Sequence, residues 1–512
     1  MNSKTLCLVL AGWACASLVG PVLAQGQDPS TRNSWTGTAE QKIGGLMTVW
    51  AEAKYAFPFF DRIPGVNWDD KALAAIPRVL AAEDIDSYYR VLMELAALLR
   101  DGHTAVMPPW GPFKPGTDSP PIEIQVVENK FVVARTGETD EIRDQRVYPG
   151  LEVTSVGDGV PIRKHFQDSI LRYNSRGTKQ ADEAINLYGL LTGVKDSRVV
   201  VGVKDPDGTV RTVTLTRNSA ERQGRPFMYR IFDWDSSEPV LQTKILPEGF
   251  LYVRISNFDK EGLRKEFQEL VDGLDSSRTR GMILDIRYNP GGNSAIADSV
   301  VSCLIDQPLR AEIIRVPHYV AAGRAWGNQP VWTELKSTIE PRQGKRYLGP
   351  LVILTGPATY SAAEDFLVPL HYSGRARLVG EPTAGSTGNP LRVSLPGGGN
   401  FRVVTVKCVY PDGREFVGSG IEPDLQVHPT QRDIQVGYDR VMAAGLEALK
   451  AWNLTRAGIP ERVAMQMTGR KARSVFERYH IVSGRDPLAA AASLDAARGD
   501  LKSDHSRTKK GY

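Results

Sequence analysis

The chain has four cysteines in 512 residues, Cys7, Cys15, Cys303 and Cys408, too few for a disulfide framework to stand in for a hydrophobic core. Past residue 23 no run reaches eighteen apolar residues, so no later segment reads as a membrane-spanning helix. Low-complexity tracts are absent, and 63 basic against 59 acidic residues leave a net charge of only +4. That balance gives no electrostatic footprint for nucleic acid. Histidine is scarce, with seven in all, and no Cys/His group has metal-ligand spacing. What is present is an ordinary globular composition, 24% charged, on a chain long enough for several domains.

The N-terminus carries Lys4 and then an apolar run from Leu6 to Leu23, ended by Val22-Leu23-Ala24 ahead of Gln25. A short apolar stretch broken by Gly12, Gly20 and Pro21 and closed by a small residue fits a signal peptide over 1–24 better than an anchor. Cleavage would give a periplasmic or secreted protein with no membrane association. It would leave Cys303 and Cys408, read here as two unpaired buried thiols, with pairing in an oxidising compartment still open.

The expected architecture is multidomain, α+β with an α/β core. Over 25–115 the spacing of Ile43, Leu46, Trp50 and Ala53, and of Tyr88, Val91, Leu92, Leu95 and Leu98, predicts a small helical domain. Over 116–218 the runs at 122–126, 131–134 and 199–203 predict a β domain. Two turns there, Tyr148-Pro149-Gly150-Leu151 and Val156-Gly157-Asp158-Gly159-Val160, resemble a PDZ domain, a module that binds peptides by strand addition. Over 219–450 buried strands at 249–255, 281–286 and 351–355 alternate with helices at 260–274, 294–303 and 361–371. This places active groups at strand C-terminal ends.

Three motifs at those ends and beyond carry chemistry. Thr359-Tyr360-Ser361-Ala362-Ala363-Glu364 offers a serine at the start of a helix, where the amide of Ala362 faces outward. Asp285-Ile286-Arg287-Tyr288-Asn289-Pro290-Gly291-Gly292 offers a glycine turn open to backbone approach. Asp101-Gly102-His103-Thr104 offers a base. A serine needs a base to accept its proton and amides to bind the oxyanion, and these elements supply both. Taken alone, Ser361 and Glu364 also read as a helix capping box.

With Gly380-Glu381-Pro382-Thr383-Ala384-Gly385 and Gly420-Ile421-Glu422-Pro423-Asp424 following in order, the chain resembles the tail-specific, or C-terminal-processing, serine peptidases and their tricorn-core relatives over roughly 38–427. The resemblance implies a crotonase-like α/β protease core, proteolysis of protein or peptide substrates, and no metal or organic cofactor. It makes Ser361 the nucleophile and Ala362 with Gly291 or Gly292 the oxyanion donors. The lysine base of one branch would stand at position 386, where this chain has Ser386. The resemblance is therefore to the tricorn-like branch, whose base is a histidine, here His103. Gly102 stands where that branch has a serine, and Val417 where it has a glutamate. Glu415, two residues back, is the expected third catalytic member, with Glu364 the competitor. Asp285 and Arg287 read as a structural pair.

From 451 to 512 the sequence resembles the end of phage-type tyrosine recombinases, with Tyr479 nine residues after Arg470, where those enzymes have a histidine. Without the remaining phosphate-binding cations this helical tail should be catalytically inert, and no nucleic acid partner is expected. The rival to a serine endopeptidase is a ligand-binding protein on the same scaffold.

Overall fold

The computed structural model describes residues 35–111, 114–218, 239–275, 278–327 and 330–456. The leader expected over 1–24 and the recombinase-like segment from 457 onward lie outside the described residues. Among the described residues no helix is long and apolar enough to cross a membrane.

Helix α1 (Ala39–Ala56) starts at a capping box in which Thr38 and Gln41 exchange bonds, and α2 (Trp68–Leu80) starts at the side chain of Asn67. Helix α3 (Ile85–Ala97) buries Tyr88, Tyr89, Val91, Leu92 and Leu95. Arg100 then turns the chain with φ +48°, delivering Asp101–Thr104 into strand β1 (Ala105–Met107). These helices share one hydrophobic cluster with the α/β core, running from Leu46 and Leu92 through Leu251, Leu284 and Phe366.

A five-stranded antiparallel path follows: β2 (Ile122–Val127), β3 (Lys130–Thr136), β4 (Glu152–Val156), β5 (Arg198–Lys204) and β6 (Val210–Thr216). It encloses its own core around Phe131, Val153, Phe166, Val201 and Leu215. Its helix α4 (Lys179–Ile185) leans on the neighbouring domain, packing Ala181 and Ile185 with Ala358, Tyr360 and Ala384.

The main sheet begins with β7 (Leu241–Ile245) antiparallel to β8 (Phe250–Ile255). Parallel to β8 run β9 (Gly281–Asp285), β10 (Leu351–Thr355) and β11 (Arg377–Gly380), with Leu425–Gln426 at the far edge. Every residue of β9 and β10 is buried, as expected for parallel strands covered on both faces. Helices α5 (Gly262–Gly273), α6 (Ser294–Ser302) and α7 (Ala362–Tyr372) follow β8, β9 and β10. A small sheet of β12 (Pro390–Ser394) and β13 (Asn400–Val404) pairs β13 with β1, tying the Asp-Gly-His segment to the core. Helix α8 (Arg440–Arg456) covers the sheet with Ala444, Ala448 and Leu449 and runs straight through the boundary expected at 451. Cys303 and Cys408 are buried and unpaired.

Asp285 at the end of β9 receives Arg287 at 2.7 Å, and Arg287 also reaches Asp439 at 2.8 Å. Removing one partner leaves a buried charge uncompensated. Arg287→Met should therefore destabilise the fold by about 3–5 kcal/mol, read as a lowered urea midpoint. A midpoint equal to that of the parent would show the pair to be dispensable.

Candidate active site

Ser361 closes the turn between β10 and α7 with φ +58° and ψ −130°, a left-handed conformation that costs a non-glycine residue about 1–3 kcal/mol. The surroundings hold it there. The Ser361 amide donates to the carbonyl of Ser386 at 3.0 Å, and the Tyr360 amide donates to the carbonyl of Asn289 at 3.1 Å. The alternative reading, a capping box, does not form, because the Ser361 side chain makes no cap bond. Its Oγ lies instead 2.9 Å from His103 Nε2.

Glu364 has turned away from the helix terminus for a stronger set of donors. Its carboxyl accepts from Thr383 Oγ1, from the Gly385 amide at 2.8 Å and from the Ser386 amide at 2.9 Å. Thr383 in turn accepts from the Ile421 amide at 2.7 Å. Segment 383–386 is thereby clamped beneath the serine. Burial pushes the Glu364 carboxyl up to about 8, against the pull of Thr383 and the two amides.

His103 arrives on a segment held from two sides. Asp101 Oδ1 accepts from the His103 amide and from Thr104 Oγ1, each at 2.9 Å. Arg402 of β13 donates to the carbonyls of Gly102 at 2.7 Å and His103 at 3.0 Å. The imidazole stacks on Tyr360, with ring centroids 4.5 Å apart and planes 7° from parallel. Its Nδ1 faces Ser386 Oγ at 2.8 Å and Tyr360 OH at 2.9 Å. Burial, followed by the charges of Arg402, Arg176 and Arg392, holds the imidazole well below its usual pKa, so the ring is neutral.

The glycine turn meets the serine turn directly. Gly291 has φ +94°, and a Cβ there would lie 2.7 Å from the Ala362 nitrogen and 2.7 Å from Ser361 Cβ. Its amide, however, donates to Asn289 Oδ1 at 2.8 Å. Of the expected oxyanion donors, Gly291 is thus already engaged. Ala362 and Gly292 are left, neither of whose amides donates a hydrogen bond among the described residues.

Among the described residues, neither the expected third member, Glu415, nor its competitor, Glu364, meets the His103 ring. Glu415 sits just past a tight turn at Asp412-Gly413, bridged to Val409, and its carboxylate pairs with Arg62 at 2.7 Å on a half-exposed surface. Glu364 is buried beside the site, but its oxygens serve Thr383 and the 385–386 amides. The groups that meet Nδ1 are Ser386 and Tyr360. The sequence signals available for them were the adjacency of Tyr360 to Ser361 and the position of Ser386, where the serine/lysine branch has its base.

Residues 249–427 match the model for Peptidase family S41. Over that stretch the chain is similar to a family of serine-type peptidases. The chain is 26% identical over 174 residues to carboxy-terminal processing protease CtpA of Bacillus subtilis (strain 168), covering 34% of either protein. It is 26% identical over 358 residues to a carboxyl-terminal-processing protease of Picosynechococcus sp., covering 69% of this chain and 75% of that one. Against CtpB of Bacillus subtilis it spans only about half the relative's length, at 24% identity over 260 residues. Among solved structures, mature CPAF superposes with a TM-score of 0.64 at 17% identity, over 81% of this chain and 97% of the other, which shows a shared fold. Ser361, Gly291, Gly292 and Ser386 fall inside the matched domain; His103 and Asp101 lie upstream of it.

The raised Glu364 pKa carries a stability prediction. The folded state holds this proton more tightly than the unfolded chain, whose value is near 4.5. The contribution is fully present below that value and is lost as pH rises through about 8. Melting temperature should fall between about pH 4.5 and 8, with a shallower slope in Glu364→Gln. Equal slopes in the two proteins would contradict the assignment.

Proposed function

We propose that this chain is a serine endopeptidase in which His103 is the base, on the strength of the 2.9 Å contact between His103 Nε2 and Ser361 Oγ. Ser361 attacks the scissile carbonyl as Nε2 takes its proton, and the same nitrogen returns the proton to the leaving amine. The amides of Ala362 and Gly292 bind the oxyanion; with no competing acceptor in place, neither has a bond to break as charge develops. A retained dyad favours catalysis over a ligand-binding role. The β domain over 116–218 is read as a PDZ-like module that presents protein or peptide substrate, and the apolar run at Leu6–Leu23 as a signal for export to the periplasm or beyond.

Hydrolysis of a fluorescently labelled, unfolded protein tests this reading. Wild type should cleave it, and Ser361→Ala or His103→Ala should lower kcat by on the order of 10⁶-fold, to background. Cleavage that survives both substitutions would refute it. Because burial and three arginines depress the imidazole, the acidic limb of the kcat/KM profile should fall below 6.5, the ordinary histidine value. An acidic limb above that value would show that His103 is not the base in the geometry described.

A further inference from the structure

The imidazole of His103 can accept the Ser361 proton only if its own proton sits on Nδ1, and that proton needs an acceptor in the ring plane. Among the described residues no carboxylate touches Nδ1. Two hydroxyls do, Ser386 Oγ at 2.8 Å and Tyr360 OH at 2.9 Å. They are not equivalent. The Tyr360 ring lies parallel to the imidazole, 7° from coplanar in direction with centroids 4.5 Å apart, which keeps its hydroxyl to one side of the ring plane. The N–H bond points within that plane, so Ser386 is the acceptor it meets.

Ser386 Oγ then has a proton of its own to place. Asp101 Oδ2 lies 3.3 Å away, long for such a bond and of the kind that shortens when a site engages its substrate. The other carboxylate oxygen, Oδ1, is anchored by the His103 amide and Thr104 Oγ1. Asp101 is buried along with this chain of bonds. Gly102 leaves the room it needs: a Cβ there would come within 2.6 Å of Tyr360 OH and 3.1 Å of Ser386 Oγ.

We infer that Asp101 and Ser386 are positioning residues that set the His103 tautomer through a serine-bridged relay, Nδ1–H to Ser386 Oγ and Ser386 O–H to Asp101 Oδ2. The inference rests on the reading of Ser361 as nucleophile and His103 as base. No proton passes beyond the imidazole. The ring gains the Ser361 proton at Nε2, keeps its own at Nδ1, and the Asp101 carboxylate stabilises the imidazolium through the polarised hydroxyl. Arg402, Arg176 and Arg392 press the other way on that cation, and although burial raises the Asp101 carboxyl, Thr104, the His103 amide, Arg402 and Ser386 all favour its charged form. Ser386 occupies the place at which a lysine would be needed in a serine/lysine enzyme, and the relay gives that position a different task.

The test is the tautomer of His103, read from imidazole ¹⁵N shifts in [¹⁵N]histidine-labelled protein and assigned by its loss in His103→Ala. Wild type should carry the proton on Nδ1. In Asp101→Asn the anchor oxygen can still serve the His103 amide and Thr104, so the fold should hold, checked by melting temperature. The new amide would donate to Ser386, which would then donate to Nδ1 and drive the ring proton to Nε2. With that switch, kcat should fall on the order of 10²-fold or more while KM stays within about a factor of two. Tyr360→Phe should keep the Nδ1–H tautomer, and Ser386→Thr should keep it together with most of kcat. An Nδ1 proton retained in Asp101→Asn, or lost in Tyr360→Phe, would overturn the relay. A wild type that shows the predicted tautomers yet cleaves nothing would refute the peptidase reading and leave the relay standing.

Discussion

The geometry behind the proposed catalysis hangs on the left-handed backbone of Ser361. A serine at φ +58° is strained, and it stays there because its amide is bonded to Ser386 and its neighbour Tyr360 is bonded to Asn289. Those two bonds bring together the turn after β9, the turn after β10 and the segment after β11. Parallel strands deliver all three turns to one edge of the sheet, which is why a site assembled from distant residues can be held at bonding distances. The fourth element, Asp101–Thr104, comes from outside the sheet and is fastened by Arg402 through the β1–β13 pairing.

The buried carboxyl of Glu364 gives that arrangement its rigidity. It gathers a hydroxyl and two amides from 383–386, and so fixes the carbonyl that holds the Ser361 amide and the hydroxyl that faces His103. Burial of this carboxyl costs stability in its charged form, and the donors around it recover part of that cost. The site is thus organised from below by one acid and from behind by another, Asp101, with neither carboxyl bonded to the Ser361 hydroxyl.

Much of this was legible in the sequence, for reasons particular to each element. The strands at 281–285 and 351–355 announce themselves because burial on both faces demands unbroken apolar runs. Ser361, His103 and the glycine pair sit in local motifs whose chemistry follows from residue type. What local pattern could not supply was tertiary competition. Ser361 and Glu364 have capping-box spacing, yet the amides of Gly385 and Ser386 offer Glu364 more than one helix terminus does. Glu415 has acidic character at a plausible register, but the turn at Asp412-Gly413 aims it at Arg62. The helix from Arg440 to Arg456 ignores the change of sequence character at 451, because Ala448, Leu449 and Ala451 are all buried there.

The central claim is that Ser361 is an activated nucleophile. Treating the purified protein with a fluorophosphonate and mapping the adduct by tandem mass spectrometry tests it directly. The account predicts one phosphonyl group, on Ser361, absent from His103→Ala. An adduct on a different residue, or equal labelling of Ser361 without His103, would contradict it.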